Sequence, residues 1–330
     1  TFLGNEFDFE SAEVRADLTA AQADIDLINF VKEPGERVSG VGKIDFLDGG
    51  AVTISDMHIE GLGTEILGEF ALDDAGRLIS ASFPIVRFGE NSNFGLELDA
   101  PNEQIPSWRL YGHAMDATRI FFDDDPVEGD GAVEDGDEVE TVDAANVVEQ
   151  DIAPISLDLE LETVAVREGV ALRDVAFRYV IEENERLTDF HLDAMGPGDG
   201  TIVGRFGEED TIRTLTISSD QAGDFVEAFT GFPSLRDGEI LVEASFRPDT
   251  IGAAPNSEED YGGTIRITDF SVVDQPFMAR LFSIGSLDGP LRLLQNEGIP
   301  FAEMEAPFKA RGGQVNLVQG RASGVAMGVS

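Results

Sequence analysis

The chain has no cysteine. Disulfide scaffolds, thiol nucleophiles and cysteine-ligated zinc are excluded together. The absence suits an oxidising compartment in which stray thiols are a liability. Basic residues are few: 22 Lys and Arg, three of them Lys, stand against 65 Asp and Glu, for a formal net charge of −43. A surface this acidic repels a phosphate backbone, so nucleic acid is excluded as a partner. Nor does it dock electrostatically on an anionic membrane, although it does favour solubility. No apolar run approaches the roughly 20 residues that cross a bilayer as a helix, and no basic-plus-apolar leader opens the chain. The sequence starts at Thr1 and stops in the strand-like stretch 326–330. It therefore reads as an interior piece of a longer protein, with any membrane anchor outside it.

Catalytic signatures are missing too. The three histidines, His58, His113 and His191, lie far apart in strand-like runs and form no HxH or HxxxH pair, so they read as ordinary core or surface residues and not as metal ligands. There is no GxSxG elbow, no GxGxxG and no GxxxxGK[ST]. Gly-Pro-Gly-Asp-Gly at 196–200 contains a proline and lacks a following Lys; it reads as a hairpin turn. Acidic neighbours are so numerous that no pair stands out as a glycosidase dyad. Trp108 and the Phe121-Phe122 pair read as core. No enzyme activity, cofactor or metal is expected.

Strands are what the sequence does contain. With 330 residues the chain can form two domains or one elongated one. Between 123 and 151 there are 13 acidic residues and no basic one. Self-repulsion and low hydrophobicity make this a solvated linker or long loop, and no window fits a calcium-binding EF-hand. It separates β-rich segments at 1–122 and 152–330. Apolar and polar residues alternate at 94–98, 155–161 and 212–217, the mark of strands with one buried face. Turn signals at 74–76, 196–200 and 237–238 suggest consecutive antiparallel hairpins. One short helix is expected over 224–229.

A repeat runs through these strands. Gly49-Gly50-Ala-Val52-Thr-Ile54-Ser-Asp56-Met57-His-Ile59 aligns with Gly262-Gly263-Thr-Ile265-Arg-Ile267-Thr-Asp269-Phe270-Ser-Val272. Both place apolar residues on one face twice, shift phase by one residue at the Asp, and resume. Such a shift predicts a β-bulge or sharp bend. Looser copies start at Gly312-Gly313, carrying Val315 and Leu317, and at Asp237-Gly238. Repeats of one bent β unit build an elongated sheet whose neighbours contact mainly neighbours. Between 274 and 297 the pattern changes to a pair of short apolar helices, with Pro276 and Pro290 in first turns and Gly285 and Gly298 as stops. Phe277, Met278, Leu281 and Phe282 cover the first helix, and Leu291 and Leu294 share a face of the second. Periodicity alone also fits a closed β-sandwich.

The order over 261–330 is a Gly-Gly strand, a Pro-Phe/Leu-rich helix pair, Gly-Ile-Pro-Phe at 298–301 and a second Gly-Gly strand. It resembles the C-terminal region of the AsmA-like proteins, the bacterial group that includes the YhdP and TamB relatives. A weaker likeness extends through 155–250 and 38–122. The acidic insert departs from the pattern. The resemblance implies a mostly β fold: an elongated, curved antiparallel sheet forming an apolar groove, with a few short helices. It implies no catalytic residues. It also implies a periplasmic protein, anchored in the inner membrane, that shields or conducts phospholipid toward the outer membrane. Val52, Ile54, Met57, Ile59, Ile265, Ile267, Phe270, Val272, Val315 and Leu317 would line the groove, and the six apolar helix residues would line or cap it. Asp at Ile265 and Ile267 is expected to block lipid passage and leave the sheet folded. The alternative is a structural or assembly factor for outer-membrane biogenesis with no lipid path, working through exposed strand edges.

Overall fold

Alternating residues place one face of a strand against apolar neighbours and the other in water, and nearly all of the described chain is built this way. The computed structural model describes residues 10–25, 28–47, 49–61, 63–89, 91–101, 104–121, 154–182, 186–209, 212–246, 261–273, 298–311, 314–318, 320–324 and 328–329. The first half comprises β1 (Ser11–Asp17), β2 (Ala23–Ile25), β3 (Phe30–Lys32), β4 (Val38–Phe46), β5 (Val52–Gly61), β6 (Thr64–Leu72), β7 (Leu78–Phe88), β8 (Ser92–Asp99), β9 (Ser107–Asp116) and α1 (Thr118–Phe121). The second comprises β10 (Ile155–Arg167), β11 (Val170–Glu182), β12 (Arg186–Met195), β13 (Thr201–Glu209), β14 (Ile212–Ser219), α2 (Ala222–Thr230), β15 (Leu235–Phe246), β16 (Tyr261–Val272), β17 (Ile299–Arg311), β18 (Gln314–Leu317), β19 (Arg321–Ser323) and β20 (Gly328–Val329).

All of these strands except the β2–β3 hairpin belong to one sheet, long, curved and not closed into a barrel. It is not a sandwich. β1 pairs with β4, and β4 to β9 follow as antiparallel neighbours. β10 to β17 do the same. The far side of β17 is shared by β18 and β19, and β20 pairs with β19. Among the described strands the pairing is antiparallel with one exception: β9 and β10 run parallel, Ser107 opposite Ser156 and Asp116 opposite Ala165. A parallel neighbour forces the chain back along the whole strand, a return of about 30 Å at ~3.3 Å per residue. The acidic insert therefore falls in sequence between two parallel neighbours of one sheet; residues 122–153 themselves lie outside the described residues.

Two turns form as expected. Gly196 donates to Gly200 O at 2.7 Å between β12 and β13, and Asp73 donates to Arg77 O at 2.9 Å between β6 and β7. Asp237 and Gly238 do not form a turn. They lie inside β15 with φ of 58° and 83°. Gly262 and Gly263 likewise sit inside β16. The helix at 224–229 appears as α2, stopped by Gly231 at φ 70°, whose N–H donates to Glu227 O at 2.9 Å.

The bends expected at the two aspartates are present. Asp56 and Asp269 have φ of 50° and 52°, a left-handed conformation that Asp tolerates better than most residues at a cost of roughly 1 kcal/mol. They are not isolated. Around Asp56 the β5–β6 register jumps from Ile54 to Met57, in β7 it jumps from Phe83 to Val86, and at Asp174 (φ 49°) in β11 from Arg173 to Ala176. In β15 and β16, Asp237–Phe270 and Glu239–Thr268 are partners, which leaves Gly238 opposite Asp269. Bulges and left-handed residues bend a strand and raise its twist, so irregularities in successive strands curve the sheet as a whole.

Candidate functional site

The apolar side chains of successive strands meet in register. One row runs Ala12, Ile44, Ile54, Phe70, Ala81, Leu98, Trp108, Leu157, Tyr179 from β1 to β11. A second runs Phe83, Leu96, Leu110, Leu159, Phe177, Leu192, Gly204, Ile217, Val242, Ile265, Ala306 from β7 to β17. Together they make one apolar face across the sheet.

That face is the concave one. Tyr179 of β11 and Tyr261 of β16, five strands apart, pack around the same buried trio, Ile181, Leu187 and Phe246. Helix α2 lies on this face and touches β10, β11, β15 and β16. Its Phe225, Ala228 and Phe229 join Val166, Leu172 and Ile202, and its Ala222 joins Leu235 and Ile240. On the same face, Phe30 of β3 meets Phe88 edge-on at 5.0 Å within the same cluster, and Arg119 of α1 reaches Asp24 of β2 at 2.8 Å. α2, α1 and the β2–β3 hairpin thus cover one end of the central strands. Each fully buried Val, Leu or Phe there contributes about 1.5–3 kcal/mol.

Over β5 and β6 the face is only half-buried. In β5 and β6 no apolar-face residue is buried: Val52, Ile54, Met57, Ile59, Ile66, Phe70 and Leu72 are all intermediate. Phe46 and Leu47 beside them are 46% and 52% exposed. The convex face carries the charge. Arg109 reaches Glu97 at 3.8 Å and Glu160 at 3.3 Å, Arg178 reaches Asp158 at 3.2 Å and Asp189 at 2.7 Å, and Asp193 meets His191 and Arg205 at 2.7 Å each. Such exposed pairs contribute about 1 kcal/mol or less apiece. Hydrogen bonding to Arg205 holds the Asp193 carboxyl below the ordinary carboxylate range. Burial pushes the Tyr179 phenol up. His58 and His113 also sit beside carboxylates, Glu60 and Glu162. Among the described residues no group of three or more His, Asp or Glu is arranged to hold a metal ion, and no helix is long and apolar enough to cross a membrane. A shallow groove on the convex face is lined by Thr201, Ser218, Asp220, Glu239, Leu241, Arg266 and Thr268.

The structure separates the residues expected to line a groove. Val52, Ile54, Met57 and Ile59 stand on the open part of the apolar face, and Ile265 and Val272 are half-buried on it. Ile267 and Phe270 are 2% and 3% exposed, packed with Ile240 and Ala222. An Asp at Ile267 would therefore bury a charge and unfold the sheet, contrary to the expectation of a clean block. Leu317 is 63% exposed at the sheet edge. Val315 belongs to β18, opposite Ala310. Phe277, Met278, Leu281, Phe282, Leu291 and Leu294 lie outside the described residues. Sequence reasoning missed Ile44, Phe70, Leu96 and Phe177, which extend the face from strand to strand. The alternation at 94–98 held that signal. The cover formed by α2 had none beyond its short apolar helix.

The chain matches no protein-family model, no curated protein and no solved structure.

Proposed function

We propose that the concave face shields the acyl chains of phospholipid, as a periplasmic segment of an AsmA-like protein. The observation that carries the reading is the half-buried apolar ladder of β5 and β6, continuous in register with the rest of the face and backed by a charged convex side. A contiguous apolar surface left partly open in this way suits a binding surface. Each methylene withdrawn from water contributes ~0.8 kcal/mol. A long curved face accumulates that gain along a chain, while the head group stays in solvent and needs no dedicated polar site. The resemblance at 261–330 supplies the periplasmic setting.

The test is native mass spectrometry of the purified chain, with extraction and identification of bound lipid. Stoichiometric phospholipid, lost in Ile54→Asp while the fold persists by circular dichroism, is the expected result. A lipid-free chain that also fails to take up a fluorescent phospholipid would leave the assembly-factor reading, which needs no lipid.

A further inference from the structure

The two edges of the sheet are finished differently. At one edge, β17 is covered by two short strands, β18 and β19, a common way of keeping a sheet from pairing with a stranger. At the other edge, β1 runs seven residues with no proline and no break in its register with β4. The backbone groups of β1 that have no partner among the described residues can be assigned. Leu18 N donates to Val38 O at 2.9 Å and Phe46 N donates to Glu10 O at 3.0 Å, so even-numbered residues of this strand turn their N–H and C=O toward β4. Alternation in an antiparallel ladder then turns those of Ser11, Glu13, Arg15 and Asp17 outward, away from the sheet.

We propose that this edge pairs with β1 of a second copy of the chain, antiparallel and about a two-fold axis at Val14. In that register Glu13 faces the second copy's Arg15 and Arg15 faces its Glu13, both as hydrogen-bonded pairs, and Ser11 faces Asp17. Shifting by one pleat either way sets Glu13 against Glu13, or Arg15 against Arg15 with Glu13 against Asp17. Like charges directly opposite are destabilising, so the charge pattern selects one register and one partner, this same strand. Glu13 and Arg15 are exposed, and neither makes an ion pair among the described residues. On the apolar side Val14, 39% exposed, meets its own copy at the closer, non-hydrogen-bonded spacing, flanked by Ala12 and Ala16. The contact is isologous and closes on itself. It joins the concave faces of two chains through Ala12, Val14 and Ala16, and it stands whether or not those faces hold lipid.

Sedimentation velocity across a concentration series, on the full chain, tests this. The wild type should be a reversible dimer. Arg15→Glu turns two attractive cross-strand pairs into two repulsive ones and should weaken association by about tenfold or more. The double variant Glu13→Arg with Arg15→Glu restores complementarity and should return to within about threefold of wild type on the same reasoning. Glu13→Pro removes an outward N–H that β4 does not use and should abolish the dimer. Circular dichroism melts confirm the fold in each case. A wild type that stays monomeric at the highest concentration overturns the proposal. So does a dimer indifferent to Arg15→Glu, or a double swap no better than the single change.

Discussion

Lengthening an alkyl ligand by one methylene should tighten its binding to the concave face by roughly twofold. Full transfer of a methylene from water gives ~0.8 kcal/mol. Val52, Ile54, Met57 and Ile59 are half-buried in the free protein, so a chain lying on them is shielded on one side, and about half of that gain, ~0.4 kcal/mol, is realised per methylene. A homologous series of neutral-headed alkyl ligands suits the measurement, because a net charge of −43 repels carboxylate heads. Isothermal titration calorimetry should give a linear rise of binding free energy with chain length and a negative heat-capacity change. Ile54→Asp places a carboxylate between Ile44 and Phe70 in the register row. At a half-exposed site this costs the fold about 1 kcal/mol, and it should flatten the chain-length slope. The same change at Ile267, 2% exposed, would confuse unfolding with lost binding. A flat series in the wild type, or an unchanged slope in Ile54→Asp, would refute the reasoning.

Leu110→Ala should lower the unfolding free energy in urea by about 3 kcal/mol, since Leu110 is 1% exposed in the main core cluster; a loss under about 1 kcal/mol would contradict that packing. Asp269→Val should cost about 1–2 kcal/mol because a β-branched residue resists φ of 52°, while Asp269→Gly stays near wild type; equal stabilities would show that the bend is unstrained. Gly263→Ala should destabilise by more than either, because a Cβ there would lie 1.9 Å from Glu243 O, and a melt that does not move would overturn the close β15–β16 approach. Asp73 accepts from the N–H of Arg77 and of Ala75 and pairs with the Arg77 guanidinium at 2.7 Å, which holds its carboxyl below the ordinary carboxylate range. A depressed folded-state pKa adds stability above the unfolded value and loses it as pH falls through the folded one. Asp73→Asn should therefore lose less stability than wild type on acidification below that range, and parallel acid limbs in urea melts would refute it.

How much of this was legible depended on whether the determinant was local. The bends at Asp56 and Asp269 were readable because each changes the parity of its own strand: Ile54 and Met57, or Ile267 and Phe270, share a face three residues apart, which only an irregular strand allows. Asp174 obeys the same rule between Leu172 and Val175, and it could have been read in the same way. Asp237 and Gly238 misled because the pair that makes a tight turn also makes a left-handed bend inside a strand; the arbiter is the opposing Asp269, more than thirty residues away. The parallel junction of β9 with β10 was hidden for a stronger reason. Ser107–Asp116 and Ile155–Arg167 each alternate as an antiparallel strand would, and direction is a relation between strands that neither sequence carries. The candidate site inherits both halves of this argument. Which residues face inward is a property of each strand and was visible at Val52, Ile54 and Ile265. How exposed they remain is decided by what lies on top of them. α2 covers the neighbourhood of Val166, Leu172 and Ile202 and leaves β5 and β6 open, so the apolar face is a core in one place and a surface in another, built from the same alternation.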